Sequence, residues 1–279
     1  MKPPPLSSNH NTELAVRLAN IHPKKSLGQN FLIDEPSLDM VVAAATIKTS
    51  DTILEIGPGI GFLTSKICAL AKAVTCVEAD PDLVQILGQQ PPANLTIVSG
   101  DIMVFNLQTL PTDYKVVANI PYYLTSKLLR LLLESPNPPA AMSILVQKEV
   151  AERIVASPGQ MSILALSVQY YAYAKMVGVI ERHKFWPAPK VDSAVLSLNR
   201  RPQQAFPAEP TRLFRLIKAG FGERRKQLKN ALAGGLNADS SVILAVLRQA
   251  KVSPTQRAQE LALADWHRLY QAATAHNLV

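Results

Sequence analysis

The chain has only two cysteines and two tryptophans in 279 residues, and aromatic residues make up 6% of it. Cys68, in KICALAK, and Cys76, in AVTCVEAD, sit in apolar surroundings without ligand spacing. That pattern excludes a zinc ribbon and predicts packed, reduced thiols rather than a disulfide; no metal site is expected. No apolar run reaches the length needed to cross a bilayer, and the opening MKPPPLSSNHNTELAVRLAN lacks the hydrophobic block of a signal peptide. The expected address is therefore the cytoplasm, without membrane association. Internal repeats are absent as well. What is present is a 48% apolar content, enough to bury a sizeable core.

Charge is spread unevenly. Residues 1–199 hold 16 Lys/Arg against 16 Asp/Glu, whereas residues 200–279 hold 13 against 5. A basic segment on a neutral body suits a polyanion, because each cation that replaces a phosphate counterion gains association free energy by ion release. Taken alone, the same charge also describes a solvated helix face.

Asp34 is placed to cap a helix over DEPSLDMVVAAATI, with Pro36 in its first turn. The runs DTILEIG, AVTCVEAD, NLTIVSGD and KVVANI follow, short and rich in β-branched residues, and helical stretches such as LTSKICALAKA and TSKLLRLLLES separate them. Continuous apolar strands alternating with helices predict an α/β fold with a parallel sheet covered on both faces. AMSILVQK supplies a fifth strand, and YYAYAKMVGVI and SAVLSLNR are placed as closing strands with room for an antiparallel member. Composition shifts at RRPQQAFPAEP, which reads as a linker, and the remainder is helical by periodicity. The predicted domains are 1–201 and 205–279.

In an open parallel sheet, ligands bind beyond the carboxyl ends of the strands. After the first strand stands EIGPGIG, with Glu55, Gly57, Gly59 and Gly61. Glycines there let the backbone turn sharply and approach a ligand closely. Phe62 occupies the position of the third glycine of a dinucleotide fingerprint, and no Gly-Lys-Ser/Thr follows, so neither that site nor a nucleoside triphosphate loop is present. E-x-G-x-G-x-G is instead the pattern of S-adenosylmethionine sites, although a plain strand-to-helix turn has the same composition. Glu78 ends the second strand, where a carboxylate can accept from ribose hydroxyls, and Asp101 ends the third, where it can accept from an adenine amino group. Asp80, beside Pro81, reads as a helix cap.

The fourth strand ends in Asn119-Ile120-Pro121-Tyr122. An exocyclic amine on a purine is a poor nucleophile because its lone pair is delocalised into the ring. Acceptors from the Asn119 side chain and the Ile120 carbonyl would favour a pyramidal nitrogen, Pro121 would hold those oxygens together, and Tyr122 would stack on a flipped base. Positioning and dipoles suffice for transfer from a sulfonium, so no catalytic histidine is required. Tyr123 reads as packing. Downstream, Phe185 and Trp186 in HKFWPAPKVDSAVLSL suit a clamp on the other face of a splayed base, or a core plug.

KKSLGQNFLID, LEIGPGIGFLT, VEAD, GDIM, NIPYYLTS, VQKEVAERI, FWPAPKVDSAV and KAGFGERRKQLKNAL, in this order, resemble the ribosomal RNA adenine dimethyltransferase family. They are most similar to its bacterial small-subunit branch, whose loss confers kasugamycin resistance. The resemblance implies a Rossmann-like, class I S-adenosylmethionine-dependent sheet with a small C-terminal all-helical domain. It implies dimethylation of N6 on two adjacent adenosines in the 3′-terminal hairpin loop of small-subunit rRNA, in a pre-ribosomal 30S particle, by a monomeric enzyme. Cofactor contacts then fall on Asn30, Leu32, Gly57, Glu78, Asp101 and Asn119. Target-base contacts fall on Asn119, Ile120, Pro121, Tyr122 and Phe185. The helix GERRKQLKN would meet rRNA phosphates through Arg224, Arg225, Lys226 and Lys229, with Lys24 and Lys25 adding to that surface.

This sequence departs from the family's pattern at Lys127, where proline is frequent after TS, and in the shorter ASPGQMSILALSVQY. Two alternatives stand beside the main expectation. One is a large-subunit adenine N6-methyltransferase of the macrolide-resistance type. The other is a ribosome assembly factor without catalysis.

Overall fold

The computed structural model describes residues 22–223 and 225–279. Contacts divide the chain into two compact units. One runs to Ala151 and takes up Lys175–Asn199, and the other comprises Glu152–Ala174 and Arg200–Val279.

The first unit is built on a seven-stranded sheet. Its members are β2 (Thr52–Ile56), β3 (Ala73–Glu78), β4 (Leu95–Ser99), β5 (Lys115–Asn119), β6 (Ala141–Gln147), β7 (Ala172–Ile180) and β9 (Ser193–Arg200), in the order β4-β3-β2-β5-β6-β9-β7. β4, β3, β2, β5 and β6 pair in parallel, and β9 runs antiparallel to β6 with Ala141 opposite Asn199 and Gln147 opposite Ser193. This is a Rossmann-like α/β sheet, closed by the two strands expected to close it. Ile53, Leu54, Val116, Val117 and Ala118 are fully buried, as parallel strands with two covered faces should be.

Helix α1 (Glu35–Ala45) is capped by Asp34, whose side chain accepts from the Ser37 N–H. It covers the sheet by packing Leu38, Val41 and Val42 into one cluster with Val117, Leu145 and Val195. The chain leaves β2 outward through β3 and β4, then returns to lay β5 on the other side of β2. The order of strands therefore reverses between β2 and β5, and a crevice opens beyond their carboxyl ends. A second, two-stranded sheet pairs β1 (Phe31–Leu32) with β8 (Phe185–Trp186).

The second unit is helical. α7 (Pro210–Phe221), α8 (Leu228–Leu236), α9 (Ser240–Gln249) and α10 (Leu263–Ala275) share a core that includes Leu213, Leu216, Leu232 and Trp266. Two features differ from the predicted organisation. Helix α6 (Ile163–Tyr171) contributes Ala165, Leu166 and Tyr170 to this core, so residues 152–174 belong with the C-terminal helices. The stretch expected to be a linker is packed down, with Phe206 6% exposed and stacked on His267 at 4.5 Å.

Candidate active site

A cavity of about 280 Å³ opens where β2, β3 and β5 end. Gly57, Glu78, Asp101 and Asn119 all line it, together with Asn30, Leu32, Ile120, Pro121 and Tyr122. Residues spread over more than ninety positions of sequence thus face one space, because parallel strands deliver their carboxyl ends to the same edge of the sheet.

The glycine loop after β2 has Gly57, Gly59 and Gly61 at φ values of 67°, 60° and 86°. At Gly59 this left-handed backbone combines with crowding, since a Cβ would stand 3.0 Å from the Phe31 ring. The loop is tied to the next strand: the Gly59 N–H donates to Glu78 Oε2 at 3.1 Å, and the Asp80 N–H donates to Oε1 at 2.9 Å. Glu78 is 6% exposed, and burial raises its pKa against those two hydrogen bonds. Asp101 is exposed, and its Oδ1 accepts from the Met103 N–H.

Asn119 Nδ2 donates to the Asn30 carbonyl at 2.9 Å, and Asn30 Nδ2 donates to the Gly28 carbonyl at 3.1 Å. The first bond fastens Asn30 to the end of β5, and the second holds the turn from Gly28 to Asn30. The first uses the nitrogen end of the Asn119 amide, which leaves its oxygen as the acceptor for a ligand. Tyr122 shares a hydrogen bond of 2.7 Å with the fully buried Ser193 hydroxyl, and burial raises the Tyr122 pKa. Ser193 therefore positions the Tyr122 ring from β9.

Three residues at this cavity were given no individual role from the sequence. Glu55 lines it at 1% exposure, and neither carboxylate oxygen has a hydrogen-bond partner. Desolvation pushes its pKa to about 8, with Thr64 opposing and the Glu78 charge adding to the shift. The signal for Glu55 was an acid inside the apolar run TILEI. Tyr123, expected to be packing, lines the cavity at 59% exposure. Gly28 lines it too, with φ 63° and the Tyr123 ring 3.2 Å from where its Cβ would stand.

Phe185 is the candidate base contact that the fold takes elsewhere. It is 3% exposed, pairs with Leu32 across the small sheet, and packs with Leu38 and Val195 in the core; it does not line the cavity. Its apolar ring gains more from full burial than a rim position offers. Lys24, expected on an RNA surface, instead donates to Asp80 at 2.6 Å and to Asp82 at 2.7 Å, and these hydrogen bonds raise its pKa.

In the second unit, the basic stretch is not one helix. Arg225 and Lys226 lie in a turn, Lys226 pairs with Glu223 at 2.6 Å, and only Lys229 is carried on α8. Arg224 lies outside the described residues. Both thiols are free and buried, no group of His, Cys, Asp and Glu suited to a metal is found among the described residues, and no described helix is long and apolar enough to cross a membrane.

Glu55 sets a pH test. Its folded-state value of about 8 lies above the ordinary 4.5, so the folded chain holds more protons than the unfolded chain between those limits. Stability from this group therefore falls as pH rises through that window, by at most about 1.4 kcal/mol per pH unit. Glu55→Gln is expected to flatten the pH dependence of urea unfolding between pH 5 and 8. Parallel curves for the two proteins would show that Glu55 is ionised in the fold.

The family model described as "Ribosomal RNA adenine dimethylase" matches residues 20–275. The chain belongs to that family. A curated member, the ribosomal RNA small subunit methyltransferase A of Dehalococcoides mccartyi, is 41% identical over 257 residues, covering 88% of this chain and 87% of the relative. Among solved structures, a dimethyladenosine transferase from Plasmodium falciparum superimposes with a TM-score of 0.79 at 26% identity, covering 88% of this chain and 98% of that one. The 23S rRNA methyltransferase ErmE superimposes with a TM-score of 0.70 at 26% identity, covering 87% and 98%. As a ribosomal RNA adenine dimethylase family member, the chain carries the motifs that define the cavity in the order the sequence suggested.

Proposed function

We propose that this protein dimethylates N6 of two adjacent adenosines in the 3′-terminal hairpin loop of small-subunit rRNA, with S-adenosylmethionine as donor. The observation that carries the reading is the Asn119 amide, tethered through its nitrogen at the mouth of a glycine-lined cavity so that its oxygen is free to accept. The residues present suit the donor. Glu55 offers a buried carboxyl group that a cationic ligand would draw into its ionised form, and at Gly57 the absent side chain leaves open space, since a Cβ there would meet only the Asn119 carbonyl at 3.9 Å. Asn30, Leu32, Gly57, Glu78, Asp101 and Asn119 would hold it. When bound, it supplies a methyl group on a sulfonium whose leaving group is a neutral thioether.

Asn119 and the Ile120 carbonyl accept from the target amine and turn its lone pair out of conjugation. Pro121 restricts the backbone between these groups and Tyr122. Tyr122, anchored by Ser193, offers a ring to the flipped adenine. Positioning of this kind is worth several powers of ten in rate without a strong base.

The substrate is read as an undermodified small subunit in the cytoplasm, engaged by a monomer, and the relative named as a small subunit methyltransferase supports that choice. Purified protein should transfer labelled methyl groups from S-adenosylmethionine to small subunits lacking the modification. Transfer to large-subunit RNA instead would favour the macrolide-resistance type, which the likeness to ErmE keeps in view. Cofactor binding without transfer would favour an assembly factor.

The basic second unit is read as the phosphate-binding part, through Arg225 and Lys229 beside Lys226 and Arg224. Arg225→Glu combined with Lys229→Glu is expected to weaken subunit binding and to lower the slope of log affinity against log salt by about two. An unchanged slope in a filter-binding titration would move the RNA surface elsewhere.

A further inference from the structure

Tyr123 sits in a short 3₁₀ turn, Tyr122–Leu124, that runs directly into helix α4 (Thr125–Leu133). The buried side of α4 is leucine: Leu128, Leu129, Leu132 and Leu133 face the core. Its other side is exposed, and there Lys127 and Arg130 follow Tyr123 at spacings of four and seven residues. Lys127 and Arg130, three residues apart on α4, share one face, and Tyr123 stands in the turn that leads into the helix.

The cavity at the strand ends and a second, open groove of about 520 Å³ are walled by the same two segments of chain. Gly100–Ile102 and Asn119–Leu124 line the first, while Met103, Phe105–Gln108, Lys127, Arg130, Leu131 and Glu134 are among those lining the second. The stripe therefore begins at the mouth of the cavity with a ring and leads away from it over cations. Arg130 is held by Glu134 at 2.8 Å, whereas Lys127 has no ion-pair partner among the described residues. Tyr122 is committed inward through its hydroxyl to Ser193, but Tyr123 is 59% exposed, with its ring beside Gly28. A base-stacking ring followed by a phosphate-neutralising cation is the chemistry that holds unpaired nucleic acid.

We propose that this face binds single-stranded RNA flanking the nucleotide in the cavity, with Tyr123 stacked on a neighbouring base and Lys127 against a backbone phosphate. The subsite rests on the reading of the cavity as a site of RNA methylation.

The test titrates full-length protein with a short, fluorescein-labelled unpaired RNA, and measures methyl transfer to undermodified small subunits alongside it. Tyr123→Ala is expected to weaken RNA binding and raise KM for subunits about tenfold, with Tyr123→Phe within about twofold of wild type. Lys127→Gln is expected to lower the salt slope of RNA binding by about one. Cofactor affinity should be unchanged in all three. RNA affinity and slope unchanged in Tyr123→Ala and Lys127→Gln overturn the subsite. So does a loss of cofactor affinity in Tyr123→Ala as large as its loss of RNA affinity, because Tyr123 would then only prop the Gly28 loop. Wild-type protein that shows the expected variant effects on RNA but transfers no methyl overturns the reading of the reaction and leaves the subsite standing; wild type that binds no RNA overturns both.

Discussion

Asn119→Ala is expected to slow methyl transfer by about a hundredfold or more, measured in single turnovers, while lowering cofactor affinity far less. The target amine has little nucleophilic character until acceptors draw on its hydrogens, and in the proposed reaction this substitution deletes one of them. Affinity for the donor falls modestly because the nitrogen of the same amide holds the Asn30 carbonyl at 2.9 Å, and with it the segment that contains Leu32. Asn119→Asp separates the two ends of the amide. It keeps acceptor oxygens but cannot donate to Asn30, and the new carboxylate would face a carbonyl. That variant is expected to lose cofactor affinity along with turnover. Normal rates for both methyl additions in Asn119→Ala would sink the role given to its oxygen.

Glu78→Ala is expected to weaken S-adenosylmethionine binding by about a hundredfold, read by calorimetry, and to lower the unfolding midpoint as well. Two losses coincide. The carboxylate that would receive the ribose hydroxyls disappears, and charge-assisted hydrogen bonds of that sort are worth about 1.5–3 kcal/mol each. The N–H groups of Gly59 and Asp80 also lose their acceptor, and an unsatisfied buried donor costs about 1–3 kcal/mol. Glu78→Gln does not rescue both, since its amide nitrogen must face one of those two donors. Cofactor affinity within a factor of three of wild type in Glu78→Ala would show that the ribose is bound elsewhere.

The two substitutions test residues that were found in the same way. Glu78 and Asn119 were placed correctly at strand ends because an apolar run bounded by turn residues is a local signal, and a parallel sheet needs nothing more to bring such ends together. Glu55 carried an equally local signal, an acid inside a buried strand, but its consequence depended on whether any donor reached it. Lys24 shows the reverse case. Its charge was visible in the sequence, yet Asp80 and Asp82 lie more than fifty positions away and neutralise it.

Periodicity, turn residues and the order of the strand-end motifs were enough to establish a Rossmann-like sheet, a glycine loop, an Asn-Ile-Pro-Tyr corner and a basic helical tail, because each is written within a few neighbouring positions. Folding in three dimensions decided what depends on distant partners. It sent the Phe185 ring to the core and the Tyr123 ring to solvent, it broke the basic stretch before Leu228, and it gave residues 152–174 to the helical unit. Burial and charge pairing are properties of contacts between remote segments, and no local pattern encodes which segment will supply the contact.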